Sequence, residues 1–447
     1  MRMNIILLSG GSGKRLWPLS NDIRSKQFIK VFRGPDGELE SMVQRVYRQI
    51  RREAGEDVLL TIATSRSQVS AIRNQLPEEV RVSVEPCRRD TFPAIALACL
   101  YLYEEEGVDP SEPVIVCPVD PYVENSYFAC FRQLYSMTMS GRWKLNLMGV
   151  KPTYPSEKYG YLVPEETAEV SAVKCYAEKP DLAHAEELLR EGALWNCGIF
   201  AFRLEYMLEQ IRGQLPYTGY RELYDHYAEC GKISFDFAVG EKEPSAGVLT
   251  YTGGWKDIGS WNTFAEEMHG SIIGKGVQDE ACKGTNIVNE LDLPILAMGL
   301  SDVIIAASND GILVADKHRS SYMKPYVEQM DATVRYAEKS WGSFTSLDTG
   351  PCSMTLRVIL MPGHRLHYHA HERRREVWTV IEGTGYAIVD GERIDVRPGS
   401  VVELPVLSRH TIVAVTALKV IEVQMGEDIR VSDKIKYPDP PEEGKPS

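Results

Sequence analysis

The chain has 447 residues, 43% of them hydrophobic and 25% charged, and carries a net charge of -13. That length predicts two or three domains, and the composition excludes extended disorder. The acidic balance excludes a broad electrostatic pull toward nucleic acid or an anionic membrane, and no apolar run reaches membrane-spanning length.

Nine cysteines, an odd number without CxxC spacing, argue against a disulfide framework or a zinc ribbon and predict a reduced, cytoplasmic setting. Met1 to Leu8 is apolar only briefly and runs into a glycine-rich turn, which predicts a first strand rather than a leader. Asn4–Leu8 reads as a strand, and Met42–Ala54 as a helix with Val43, Val46 and Ile50 on one face. Val58–Ala63 reads as a strand, Ser67–Leu76 as a helix and Val82–Val84 as a strand. Ala94–Glu104 follows as an apolar helix and Pro113–Cys117 as a buried strand. Such alternation predicts a doubly wound, mostly parallel α/β sheet. Further strands are expected at Ala172–Ala177 and Gly198–Arg203, with a helix at Ala183–Arg190. Short β runs between residues 285 and 317 predict a small β subdomain, and Lys317–Tyr336 a connecting helix or linker. From Trp341 onward, strand-like runs recur between turns and predict an all-β barrel or sandwich. Residues 433–447 read as a disordered tail.

Ser9-Gly10-Gly11-Ser12-Gly13-Lys14-Arg15 follows the first strand directly. Its glycines leave backbone N–H groups open to a phosphate, and Arg15 adds a fork of donors. The spacing matches neither GxxxxGK[ST] nor GxGxxG. For the glycines alone, a tight strand exit is the competing reading. Asp120 falls just beyond the strand 113–117, where ligands collect in open α/β sheets. Asp257 stands far away in a loop flanked by glycine and tryptophan. Each aspartate alone reads equally as a turn residue or as a ligand to a hard cation.

A series of motifs resembles the bacterial mannose-1-phosphate guanylyltransferases, in the long form with a C-terminal mannose-6-phosphate isomerase-type cupin domain. It comprises Gly10 to Ser20 with Lys26-Gln27-Phe28, Glu85-Pro86 with Arg89-Asp90-Thr91, Cys117-Pro118-Val119-Asp120 and Tyr159-Gly160-Tyr161. Glu178-Lys179-Pro180, Trp195 to Phe200 and Trp255 to Trp261 complete it, in family order over nearly the whole chain. The resemblance implies attack by a sugar 1-phosphate on the α-phosphorus of GTP, with pyrophosphate leaving. It implies Asp120 and Asp257 as Mg²⁺ ligands, with Arg15 and Lys26 on the triphosphate. Ser9, Gly10, Gly11, Ser12, Gly13, Glu85 and Arg89 would bind nucleotide. Gly160, Glu178, Lys179 and Asn196 would bind the sugar phosphate. Val119, Pro121, Asp90, Cys197 and Ser25 depart from the family pattern and leave the sugar open, with fucose, heptose or another nucleotide as alternatives. A non-catalytic sugar-nucleotide sensor is the competing class.

Gly363, His369-Ala370-His371, Glu376 and Gly383 fit the first cupin motif, and Gly399, Pro405 and His410 the second. HxH on a strand puts both imidazoles on one face. With Glu376 and His410 they would form a site for a divalent transition metal such as Zn²⁺. Compared with the isomerase pattern, His367 replaces a glutamine, two extra residues precede Glu376, and Val377-Trp378 replaces His-Trp. Isomerase, structural and dimerising roles all stay open, as does a cupin epimerase or isomerase for which the first domain is the accessory. The expected domains are a nucleotidyltransferase domain at 1–284, a small β subdomain and linker at 285–338, a cupin at 339–432 and the tail. The expected partners are GTP and a sugar 1-phosphate, without nucleic acid or membrane, and a homodimer fits both domain types.

Overall fold

The computed structural model describes residues 2–10, 13–21, 23–330, 334–427, 429 and 433–438. It forms two compact units, Met1–Leu16 with Ser25–Ser271 and Lys317–Ser321, and Trp17–Arg24 with Ile272–Asp316 and Tyr322–Ser447.

The strands of the first unit are β1 (Met3–Ser9), the short hairpin β2 (Phe32–Arg33) and β3 (Leu39–Glu40), β4 (Val58–Ser65), β5 (Arg81–Glu85), β6 (Pro113–Pro118), β7 (Pro121–Val123), β8 (Leu145–Val150), β9 (Tyr161–Pro164), β10 (Val170–Ala177), β11 (Leu194–Arg203), β12 (Ala246–Tyr251) and β13 (Trp255–Asp257). Nine of them form one sheet in the order β5-β4-β1-β6-β11-β8-β12-β10-β9. The β5-β4-β1-β6 part is parallel, whereas β11 runs antiparallel to both β6 and β8. The parallel strands are apolar on both faces because helices cover both. Ile6, Val114 and Val116 join the apolar helix Thr91–Glu104 in one core, while Ile5, Leu7 and Ile115, pointing the other way, are also fully buried.

Helix α1 (Met42–Ala54) starts at a reciprocal Ser41–Gln44 capping box and buries Val43, Val46 and Ile50. Helix α2 (Val69–Gln75) is short, α3 spans Thr91–Glu104, and α4 (Asn125–Ser140) packs against β6, β8 and β11.

In the second unit, β14 (Ile272–Ile273), β15 (Gly276–Gln278), β16 (Asn286–Asn289), β17 (Ile295–Ala297), β18 (Val303–Ser308) and β19 (Gly311–Asp316) form a four-stranded sheet, β14-β16-β18-β19, and a separate β15–β17 pair. These small sheets begin at 272 rather than at the expected 285, because β14 and β15 pair with β16 and β17. The expected linker contains a single 3-10 turn at Arg319–Tyr322 and a short helix at Lys324–Gln329.

The remainder is all β: β20 (Tyr336–Lys339), β21 (Gly342–Thr349), β22 (Ser353–Leu360), β23 (His369–His371), β24 (Arg374–Glu382), β25 (Gly385–Val389), β26 (Glu392–Val396), β27 (Val401–Leu404), β28 (His410–Ala414), β29 (Leu418–Gly426) and β30 (Lys434–Lys436). Two antiparallel sheets, β20-β21-β22-β29-β24-β27 and β26-β25-β28-β23-β30, share a core of Val358, Trp378, Val380, Ala387, Ile412 and Val420. The last strand corrects the reading of 433 onward as a disordered tail. Residues Lys434–Lys436 pair with β23, and Asp433 is buried. A three-residue strand has too little sequence pattern to stand out; the backbone of β23 supplies its order. Residues 439–447 lie outside the described residues. All nine cysteines are free.

Candidate active and metal sites

The carboxyl ends of β1, β5 and β6 carry Ser9, Glu85 and Asp120 to one edge of the sheet. Asp120 leads into β7, which pairs with β13 so that Asp257 lies opposite Pro121. One short ladder therefore joins two carboxylates far apart in sequence. Lys26 lies between them, its Nζ 3.3 Å from Asp120 Oδ2 and 3.8 Å from Asp257 Oδ1, and it donates to the Ile258 carbonyl at 3.1 Å. Asp120 Oδ1 is buried without a hydrogen-bond partner among the described residues. Burial raises the Asp120 carboxyl above its ordinary range, Lys26 opposes that shift, and Asp257 reinforces it. Arg15 is exposed and adds positive potential at Asp120. A Cβ at Gly259 would lie 3.2 Å from Asp257 Oδ2 and 3.5 Å from Arg15 Nη1, so a glycine keeps this approach open.

The turn carrying Lys26 is held from below. Gln27 Nε2 donates to Ser9 Oγ at 3.0 Å, Gln68 Nε2 to Ser25 Oγ at 2.6 Å, and Thr64 Oγ1 to Gln68 Oε1 at 2.9 Å. The buried network ties the exits of β1 and β4 to Lys26, and Ser25 joins it as the acceptor for Gln68. Gly10 has open space where a side chain would stand. Gly11 and Ser12 lie outside the described residues, and Gly13 opens a single 3-10 turn.

A second constellation forms where β9, β10 and β11 meet. Asn196 precedes a bulge in β11 at which Gly198 takes φ 71°, a conformation that suits glycine. Asn196 Nδ2 donates to Asp236 Oδ1 at 2.9 Å and also contacts the Tyr176 hydroxyl, which itself bonds Asp236. The Glu178 side chain is only 5% exposed and pairs with Lys179. Burial raises the Glu178 carboxyl, helped by Asp236 and opposed by Lys179. Lys179 holds φ 48°, a strained backbone for a non-glycine residue. A Cβ at Gly160 would crowd Glu178 Oε2 and lie 3.1 Å from the Tyr176 ring, so a side chain there would displace the Glu178 carboxylate. The structure thus groups Gly160, Glu178, Lys179 and Asn196, and it adds Tyr176 and Asp236, which sequence reasoning missed. Asp236 lies in a short apolar helix, Phe235–Ala238, where nothing in the pattern marks it.

Glu85 and Arg89 are not joined to the Lys26 cluster by any described hydrogen bond or ion pair. Glu85 accepts from the Tyr227 hydroxyl at 2.8 Å, and burial raises its carboxyl. Arg89 donates to the Ala228 carbonyl.

In the β-rich unit, His369, His371, Glu376 and His410 are all buried, and their ligand atoms lie within 4.8 Å of one another. Register explains the convergence: His369 stands opposite His410, and His371 follows on the same face of β23. Each Nδ1 meets a backbone carbonyl, at 2.6 Å for His369 with His367, 3.0 Å for His371 with Asp433, and 2.9 Å for His410 with Ser408. A carbonyl only accepts, so each Nδ1 carries a proton, and in the neutral rings each Nε2 offers a lone pair, those of His371 and His410 facing Glu376 at 3.0 and 3.4 Å. Burial lowers the His369 imidazole to about 2, which keeps it neutral. His410 Nε2 is buried without a hydrogen-bond partner among the described residues. The donor set and this orphaned nitrogen fit a divalent transition metal. Sequence reasoning missed Arg374, Glu422, Asp433 and Lys434, which surround the cluster.

Among the described residues no helix is long and apolar enough to cross a membrane. Residues 328–439 match the family described as mannose-6-phosphate isomerase C-terminal. The mannose-1-phosphate guanylyltransferase of Escherichia coli K12 is 27% identical, over 97% of each chain. The alginate biosynthesis protein AlgA of Pseudomonas aeruginosa is 28% identical, over 96% of this chain and 95% of that one. A solved protein of Thermus thermophilus, described as a mannose-1-phosphate geranyltransferase, matches with a TM-score of 0.62 at 26% identity, covering 74% of this chain and all of that one. Residues 4–271 match the nucleotidyl transferase family over more than half of the chain, and the chain belongs to that family.

Proposed function

We propose that the chain transfers a guanylyl group from GTP to mannose 1-phosphate, releasing pyrophosphate and forming GDP-mannose. The observation that carries this reading is the Asp120–Lys26–Asp257 cluster at the carboxyl edge of the sheet. The name of the full-length Escherichia coli relative supports the choice of substrates. Asp120 and Asp257 would hold Mg²⁺. Bound there, it would offset charge on the reacting phosphates. Arg15 and Lys26 grip the triphosphate, beside the backbone donors of Ser9, Gly10, Gly11, Ser12 and Gly13. The incoming phosphate is already an anion, so the site needs no side-chain base, only alignment and charge neutralisation. Glu178 and Asn196 take sugar hydroxyls, Lys179 takes the sugar phosphate, and Gly160 makes room for Glu178. Glu85 and Arg89 face the base.

The test is pyrophosphate release with Mg²⁺, crossing four nucleoside triphosphates with mannose, fucose and heptose 1-phosphates. Dominance of GTP with mannose 1-phosphate supports the reading. Another dominant pair replaces the named substrates, and no release with any pair ends the transferase reading in favour of a sensor.

A second reading concerns the β-rich unit. The family match at 328–439 and the buried cluster of three histidines and Glu376 favour a metal-dependent sugar-phosphate isomerase there. Interconversion of mannose 6-phosphate and fructose 6-phosphate by the full chain, abolished in His410→Ala, is the expected result. Absence of interconversion in the wild type leaves the unit a structural role.

A further inference from the structure

Arg374 stands among the would-be ligands rather than outside them. It is 7% exposed. Its Nε donates to Glu376 Oε1 at 3.0 Å, and its Nη2 lies 3.2 Å from His371 Nε2. In the neutral imidazole, whose Nδ1 proton faces the Asp433 carbonyl, Nε2 stands 3.0 Å from Glu376 Oε1 and is the accepting nitrogen, taking a hydrogen from Arg374 on its lone pair. That is the electron pair a metal would take, and Glu376 Oε1 is a second. Asp433 Oδ2 lies 3.9 Å from the guanidinium at Nη1 and the same distance from His371 Nδ1. A buried carboxylate needs a cation or several donors, and Arg374 supplies the cation and one donor to Glu376.

We propose that Arg374 is an internal competitor for the metal. Its guanidinium neutralises Glu376 and caps His371, and a divalent ion gains its full ligand set only when Arg374 withdraws from both atoms. The proposal rests on reading the four residues as a metal site, and it adds that this site trades one cation for another. The β-rich unit then keeps its fold when metal is stripped, and binds metal more weakly than its four ligands alone would allow.

The test compares the full chain with Arg374→Met, using His410→Ala as a blank for uptake at Asp120 and Asp257. Each protein is stripped with chelator and titrated with Mn²⁺ or Zn²⁺ against an indicator, and its melting is followed with and without metal. Arg374→Met should bind about tenfold or more tightly, the scale on which outer-shell partners tune affinity. Stripped, it should melt below the stripped wild type, and metal should close that gap. Equal or weaker binding by the variant overturns the competition while leaving the metal site standing. Uptake no greater than the blank by both proteins ends the metal reading and this proposal with it. If Arg374→Met does not fold, a crystal structure of metal-loaded wild type decides the matter. Arg374 should have left Glu376 Oε1 and His371 Nε2, and an ion and Arg374 sharing either atom overturns the proposal.

Discussion

The two clusters place carboxylates under opposite conditions. At the sheet edge, the Asp120 and Asp257 side chains are 33% and 35% exposed and share one lysine. In the β-rich unit, Glu376 is 2% exposed, and three imidazoles converge on it with their far nitrogens pinned to carbonyls. An open pair bridged by a flexible ammonium suits a cation that arrives and leaves with a polyphosphate. A closed, pre-oriented set suits a resident ion. The contrast teaches that ligand count alone does not describe a metal site; access and the groups already neutralising the ligands matter equally.

The largest effect that would break this contrast is at the open pair. Asp257→Asn should lower pyrophosphate release by about 10²–10³-fold or more, as loss of a group facing transition-state charge does. It should leave metal uptake by the β-rich unit unchanged, which parallel metal analysis would check. His410→Ala should do the reverse. It should weaken transition-metal binding beyond the about 10–100-fold that loss of an outer-shell partner costs, with pyrophosphate release within about twofold of wild type. Loss of both properties in either variant would show that the two sites are not independent.

Acidity sharpens the contrast further. Burial and the neighbouring Glu376 raise the Glu422 carboxyl to about 7 from an ordinary 4.5, against Gln424, Lys434 and Arg374. Trp378 Nε1 also donates to it, at 3.2 Å. A folded value above the unfolded one means that its stabilising contribution is complete below about pH 4.5 and lost as pH rises through about 7. Melting of the stripped β-rich unit should therefore fall across that window, and Glu422→Gln should flatten the slope. The smallest effect is local: Ser41→Ala removes the cap of α1 and should cost the first unit about 1 kcal/mol, read as a lower denaturant midpoint.

Much of this was legible in sequence. Helix Met42–Ala54 shows itself in the apolar spacing of Val43, Val46 and Ile50, and the structure gives the same ends. His369 and His371 were legible because β-strand alternation puts HxH on one face, and Glu376 and His410 because their spacing from glycine and proline turns fits the two cupin motifs. Other features depend on tertiary context. Helix α4 has no side-chain cap and mixes its buried aromatics with Ser, Thr and Cys, which are weak helix formers. The pairing of Asp257 with Pro121 is a long-range register that no local pattern carries. Arg374 sits in a run of charges, Glu372 to Glu376, in which only Glu376 belongs to a motif, although Arg374 points inward beside it. Asp236 and Asp433 looked like ordinary aspartates because their partners are distant in sequence.

The pairing of β30 with β23 carries a consequence for the order in which the molecule matures. The Asp433 carbonyl sets the tautomer of His371, and its carboxylate braces Arg374. Both belong to nearly the last described segment to leave the ribosome. Asp120 and Asp257 have long since emerged by then and are able to meet through their own ladder. The histidine cluster, by contrast, waits until Asp433 has emerged, so a nascent chain halted at 432 would carry all four residues of the cluster yet lack the part that aims one of them.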